Sequence, residues 1–328
     1  MLKARYEERG PVPQDVIEAV SEETPSPGEG EALIEVLAAP INPSDVLTLT
    51  GDYGTLPPLP AIGGNEGVGR VSALGAGVSG LKEGQTVLLP MGIGTWASHA
   101  VAPAKDLIPL PDEADPKQLA MMTINPPTAI LLLREFVDLE QGDWVIQNAA
   151  NSGVGSYLIQ HAKSRGLKTV NVVRRESAVP SVDAEGGDVT LVDGPDLHKR
   201  VKEATGGAKI KLAIDAVGGE GTDHLANCTA KGGIVVNYGM MSGQPCQMSP
   251  ANVVFRDVAL KGFWLARWFS NATRDEQMKL YGQVTQEIAS GKLKARIAAE
   301  YDVSDIKDAG KAAASGERDG KILVVPSH

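Results

Sequence analysis

Trp144-Val145-Ile146-Gln147-Asn148-Ala149-Ala150-Asn151-Ser152-Gly153-Val154-Gly155 is the stretch whose reading decides the fold. Its first four residues form an apolar strand pattern, Val154–Arg165 a helical one, and Thr169–Val173 a second strand. Strand, short turn, helix and strand in that order make a βαβ unit. Small residues in the turn let a phosphate approach the backbone, and the helix N-terminus offers free N–H groups and a positive partial charge. Against G-x-G-x-x-G, Ala150 and Ser152 stand where the first two glycines belong, and only Gly155 matches. A loop–helix junction that binds nothing stays as the alternative reading.

The strand Thr169–Val173 runs into Arg174-Arg175, and Arg174 lies 21 residues beyond Gly153. An acidic residue at about that distance would hold the ribose 2′-hydroxyl of NAD, whereas arginine suits the 2′-phosphate of NADP. Guanidinium meets phosphate in a two-pronged geometry where a carboxylate would repel it. NADPH is therefore the expected cofactor, against the plainer reading of two solvated arginines. Beyond this unit, strand patterns recur at Val189–Val192, Leu212–Asp215, Ile234–Asn237 and Leu260–Leu265, with a helical pattern at Leu197–Ala204 between them. That alternation implies a doubly wound parallel sheet.

Before it, through about Pro111, the chain carries short apolar runs broken by Gly and Pro: Ala32–Ala38, Val68–Ala73, Thr86–Leu89 and Trp96–Val101. These read as a β-rich unit. A helix is expected at Asn125–Leu139, with Pro126-Pro127 in its first turn. After the sheet come a helix near Arg274–Ser290, a strand near Arg296–Tyr301, a helix near Val303–Ala314 and a strand at Lys321–Val325, a tail expected to rejoin the β-rich unit.

Bulk properties narrow the function. At 328 residues two domains are the prior. A net charge of −10 disfavours nucleic acid and anionic membrane as partners. No apolar run approaches the roughly 18 residues of a spanning helix, and the charged start Lys3-Ala4-Arg5-Tyr6-Glu7-Glu8-Arg9 leads to a cytoplasmic expectation. Only Cys228 and Cys246 are present, with no CxxC pair. His99, His161, His198, His224 and His328 are scattered, so no metal site is expected.

Several short stretches together resemble a known group. They are Pro40-Ile41-Asn42-Pro43-Ser44-Asp45, Gly51-Asp52-Tyr53-Gly54, Gly63-Gly64-Asn65-Glu66-Gly67, Gln147–Gly155, Asn237-Tyr238-Gly239-Met240 and Gly262-Phe263-Trp264-Leu265. In this order they resemble the mitochondrial-type 2-enoyl thioester reductases, zinc-free members of the medium-chain dehydrogenase/reductase superfamily. The resemblance implies an α/β architecture with a GroES-like β-rich catalytic domain of residues 1–120 and 266–328. A Rossmann NADPH-binding domain of residues 121–265 would lie between these segments, with the active site in the cleft and a homodimer formed through the Rossmann sheets. It implies cofactor contacts at Asn125, Asn151, Ser152, Gly153, Val154, Arg174, Arg175, Tyr238, Gly239, Met240, Met241, Phe263, Trp264, Leu265 and Lys321. Asn42 and Asn65 stand where zinc-dependent relatives would have a cysteine and a histidine. The segment Glu176–Gly187, which contains Pro180, is shorter than in the group, so a stunted helix is expected there.

The implied reaction reduces the 2,3 double bond of a 2-enoyl thioester, carried by coenzyme A or acyl carrier protein, in fatty acid metabolism. Hydride adds to the electrophilic β-carbon, and a proton then goes to the α-carbon. Following the resemblance, Tyr53 is the proton donor; a phenol with an ordinary pKa of about 10 keeps its proton at neutral pH and can give it up. A tyrosine that only packs its ring at a loop tip is the alternative. Asn42, Trp96, Trp264 and Trp268 are candidates for the substrate pocket, and Glu66, expected within a glycine-rich strand, for a structural hydrogen bond. Two other functions stay open. One is a zinc-free quinone oxidoreductase-like enone reductase, the other a nucleotide-binding protein without catalysis.

Overall fold

The computed structural model describes residues 1–316 and 319–327; His328 lies outside them. The chain divides into two units, Met1–Ile124 with Gln283–His328, and Asn125–Gly282.

In the first unit Glu31–Ile41 is the organising strand. It pairs antiparallel with Val68–Leu74, His99–Pro103 and the C-terminal strand Lys321–Val324, where Ile322 faces Ile41. Burial alternates from Glu31 to Leu37, then is unbroken from Ala38 to Ile41. One face is wet at the first end and both faces are covered at the other. The tail thus joins the β-rich unit through Lys321–Val324, which also pairs in parallel with Ile297–Tyr301.

Two corrections concern this unit. Trp96 is 1% exposed, and its Nε1 donates to Pro40 O at 3.2 Å. A Cβ at Gly63 would come within 2.2 Å of its ring and one at Gly64 within 2.6 Å, so two side-chain-free residues close over the indole. Trp96 is a core residue and not a pocket wall. Glu66 lies in the loop between the strands Ala61–Ile62 and Val68–Leu74, outside any strand.

The second unit holds one parallel six-stranded sheet. Its spatial order is Val189–Val192, Lys168–Val173, Trp144–Gln147, Leu212–Asp215, Ile234–Asn237, Ala259–Gly262. That is 3-2-1-4-5-6 in chain order, the doubly wound Rossmann arrangement. Leu212–Asp215 is buried throughout, while Ala259–Gly262 at the edge is exposed throughout. The sixth strand ends at Gly262 and not at Leu265, because Leu265–Asn271 is a helix.

The first helix of this unit, Asn125–Leu132, is also shorter than its pattern. Arg165 donates to Leu133 O at 2.9 Å and to Leu139 O at 3.3 Å. The Leu133 carbonyl, which a longer helix would satisfy internally, finds a guanidinium instead. The expected stunted segment is a 3₁₀ turn, Glu176–Ala178, and a six-residue helix, Val179–Ala184, with Pro180 in its first turn.

The boundary at residue 265 is replaced by one at Gly282. Phe269 stacks on Tyr281 with centroids 5.5 Å apart, and Gln277 Nε2 donates to Phe269 O at 2.9 Å. These contacts tie Leu265–Asn271 and the start of Arg274–Ala289 to the Rossmann unit. Among the described residues no helix is long and apolar enough to cross a membrane.

Candidate active site

The turn after Trp144–Gln147 is built without the first two glycines of the dinucleotide pattern. Ala149 takes the left-handed φ of 47° that starts the turn. Ser152 caps the helix Gly153–Ser164, its hydroxyl accepting from Gly155 N at 3.1 Å. Gly155 is required sterically, since a Cβ there would lie 2.5 Å from Ala150 O. The third glycine of the pattern here lets the helix start close over the carbonyls of its own turn. The small-residue cradle and the capped helix N-terminus fit a pyrophosphate.

Beneath the turn a buried polar lattice joins the strand ends. Asn148 Nδ2 donates to Asp215 Oδ1 at 2.7 Å, and Asn148 Oδ1 accepts from Ala216 N at 2.7 Å. Asp215 also accepts from Val217 N, Gly218 N, Thr222 Oγ1 and Asn237 Nδ2, at 2.7 to 3.1 Å. Burial opposes its charge, but the hydrogen bonds led by Asn148 and Thr222 outweigh that and hold its carboxyl below the usual carboxylate range. The lattice fixes the carboxyl ends of Trp144–Gln147, Leu212–Asp215 and Ile234–Asn237 against one another.

The same packing brings predicted cofactor residues together. Tyr238 shares a side-chain hydrogen bond with Ser152, and burial pushes its phenol above the usual value. A Cβ on Gly239 would lie 2.6 Å from Ala216 O. Asn151–Val154 and Tyr238–Met241 therefore form one locality, with Met240 and Met241 exposed beside it. Arg174 is exposed and Arg175 half-buried at the carboxyl end of Lys168–Val173. Asn125 is buried in the first turn of its helix, which packs along Gly153–Ser164.

Phe263, Trp264 and Leu265 follow the edge strand. Phe263 N donates to Asn237 O at 2.8 Å, and its ring meets Phe136 edge-on at 6.1 Å. With Trp264 and Trp268 it lines an open hollow of about 380 Å³ that also holds Arg134 and Arg267. Arg134 sits 5.9 Å from the Trp268 ring centroid. Trp264 and Trp268 thus share one concavity, while Leu265 is buried.

In the first unit Tyr53 is held by its backbone. The helix Pro43–Thr50 opens with a capping box between Asn42 and Asp45 and closes on Gly51 at φ 90°. Asp52 N and Tyr53 N both donate to Leu47 O, at 2.9 and 3.2 Å. The Tyr53 ring is half-buried.

Asn42 and Lys321 meet in one hydrogen-bonded network. Lys321 Nζ donates to Asn42 Oδ1, Asn42 Nδ2 donates to Glu66 Oε1 at 2.7 Å, and Glu66 Oε2 accepts from Thr123 N and Ile124 N at 3.0 Å each. Asn65 adds a hydrogen bond to Asp45. All but Asn65 and Ile124 are buried. Lys321 is an internal cation for Glu66 and Asp45, and Asn42 bridges it to Glu66 in the same network. Burial raises Glu66 to about 7 and Asp45 to about 6, although Lys321 pulls both down. Sequence reading missed Asp45 and Asp215; the Asn42-to-Asp45 capping spacing was the one signal for the former. Among the described residues no group of three or more His, Cys, Asp or Glu could hold a metal ion.

Comparison with known proteins agrees with this anatomy. Residues 28–112 match the alcohol dehydrogenase GroES-like domain, and residues 153–281 the zinc-binding dehydrogenase family. A mitochondrial enoyl-[acyl-carrier-protein] reductase of Rattus norvegicus is 39% identical over 289 residues, covering 86% of this chain and 78% of that protein. Among solved structures, an Etr1p/NADP/crotonyl-CoA complex superposes with a TM-score of 0.87 and 25% identity over 99% of both chains. A mycobacterial quinone oxidoreductase superposes at 0.84 and 25% identity, over 99% of this chain and 100% of the other.

Proposed function

The chain belongs to the enoyl-[acyl-carrier-protein] reductase family of medium-chain dehydrogenase/reductases, and on that premise we propose that it reduces 2-enoyl thioesters with NADPH. One observation carries the reading: a small-residue turn capped by Ser152 at Asn151–Val154 stands on a sheet whose next strand runs into Arg174-Arg175.

The cofactor supplies a hydride for the β-carbon of the enoyl group. Asn151 to Val154 cradle its pyrophosphate, and Arg174 with Arg175 meet its 2′-phosphate. Tyr238, joined to Ser152, keeps the two cofactor-facing turns together. Tyr53 gives its phenolic proton to the α-carbon as negative charge leaves the thioester oxygen. Phe263, Trp264 and Trp268 offer an apolar wall to the acyl chain. A quinone or free enone as acceptor is the second reading, favoured by the likeness to the quinone oxidoreductase structure.

The chain pairs with a second copy through Ala259–Gly262. This edge strand has one unpaired side among the described residues, and Val253, Val254 and Phe255 beside it are 49%, 69% and 76% exposed. Open strand edges and contiguous apolar surface seek partners.

The deciding assay follows NADPH and NADH consumption with enoyl-CoAs of graded length and with a simple quinone. Thioester turnover preferring NADPH is expected. Preference for NADH would defeat the arginine argument, and turnover of the quinone alone would move the second reading ahead.

A further inference from the structure

We propose that Asp193 reads the adenine ring of the bound dinucleotide and that His224 is the positioning residue holding its carboxylate; the inference rests on the NADPH reading above. Asp193 directly follows the strand Val189–Val192, at the carboxyl end of the sheet. Its backbone N–H donates to Val173 O at 2.8 Å, and Val173 immediately precedes Arg174. Adenine and the 2′-phosphate hang on the same ribose, so a ligand whose phosphate meets Arg174 and Arg175 brings its base to the neighbouring strand end.

The two oxygens of Asp193 are used differently. Oδ1 accepts from Gly194 N at 2.8 Å and from His224 Nδ1 at 2.8 Å. A carboxylate only accepts, so the ring nitrogen facing it carries the proton. Oδ2 has no donor among the described residues. It lies 3.8 Å from the point a Cβ on Gly221 would occupy, and Asn148 Nδ2 at 3.5 Å and Val217 Cβ at 3.8 Å border the same point. Residues just beyond strands Trp144–Gln147, Val189–Val192 and Leu212–Asp215 thus converge around Gly221. The strand order reverses here, and ligands of doubly wound sheets bind in such a crevice.

The chemistry selects the base. Adenine presents an exocyclic amine, a donor that an acceptor-only oxygen satisfies. Hypoxanthine carries an oxygen at that place, which a carboxylate repels. With a third of its side chain exposed, Asp193 is accessible to a ligand, while His224, at 18%, is packed behind it.

The test titrates the full chain by calorimetry with NADP⁺ and with its hypoxanthine counterpart, then repeats the comparison as KM for the reduced forms with crotonyl-CoA. The wild type binds the adenine form about 10- to 100-fold more tightly, the factor one hydrogen bond to a charged group carries. Asp193→Asn, whose amide offers either a donor or an acceptor, closes the gap to within about threefold. His224→Phe narrows it while kcat at saturation holds, and His224→Gln, which can still donate to Oδ1, restores it. Equal affinities in the wild type, or an unchanged ratio in Asp193→Asn, overturn the proposal. The wild-type pair of affinities decides even where a variant fails to fold. A protein that discriminates the two bases but reduces no thioester would sink the reductase reading and leave this one standing.

Discussion

At the scale of single residues, the proposed reaction assigns the proton transfer to Tyr53. Its backbone is tied to Leu47 O and its ring is half-buried, so a phenyl ring can occupy the same place without repacking. Tyr53→Phe is expected to lower kcat on crotonyl-CoA by about 10² to 10⁴, the range general acids contribute, with little change in KM. Turnover of a simple quinone should barely move, because that acceptor does not depend on the phenolic proton. Stopped-flow measurement of NADPH oxidation on both acceptors checks this, and equal losses on the two would remove Tyr53 from the role. The tyrosine could be singled out from its resemblance-bearing neighbours Gly51, Asp52 and Gly54. Trp96 misled for the opposite reason: nothing in its neighbours tells that Gly63 and Gly64 close over its ring.

At the scale of elements, the dinucleotide turn tolerates alanine and serine at two glycine positions but not at the third. Ala149 supplies the left-handed residue and Ser152 the cap, whereas Gly155 faces carbonyls at 2.5 and 2.8 Å. Gly155→Ala is therefore expected to push the start of the helix Gly153–Ser164 away from the turn at Ala149 and Ala150, at a cost of about 1–3 kcal/mol by the overpacking range. Urea denaturation would show the lower midpoint, and NADPH binding should weaken with it. An unchanged midpoint would mean that the turn absorbs a methyl group its geometry says it cannot. The six strands of the sheet could be read from apolar runs, each four to six residues long. Helix ends were less legible. The halt of Asn125–Leu132 depends on Arg165, more than thirty residues away in sequence.

At the scale of the molecule, two consequences follow from what is buried and what is left open. Glu66 titrates near 7 in the folded chain against an ordinary 4.5, so between those values the native state binds a proton that the unfolded state has released. Stability is then full below about pH 4.5 on this account and falls as pH rises towards 7. Asp45, near 6 against 3.8, adds a fall that is complete sooner. Glu66→Gln should be less stable overall, since Gln turns an amide towards Asn42 Nδ2, yet it should lose the slope between pH 6 and 7.5. Melting temperatures across that window test the point; parallel curves for the two proteins would contradict it. The exposed edge Ala259–Gly262 carries the second consequence. Leu260→Lys should shift the protein to a smaller species in sedimentation, whereas a wild type that already sediments as a monomer would end the pairing proposal.

The order of strands and helices, the cofactor phosphate and the absence of zinc-type ligand spacing were determined by the sequence alone, because periodicity, turn chemistry and charge are local properties of the chain. What only the tertiary structure decided were partnerships between residues far apart in sequence. Lys321 meets Asn42 across 279 positions, Asp215 collects donors from both sides of the sheet, and Asp193 faces His224 across 31. A buried charge is tolerable only beside its partners, and the partner is chosen by how the sheet folds back, which no short window of residues contains.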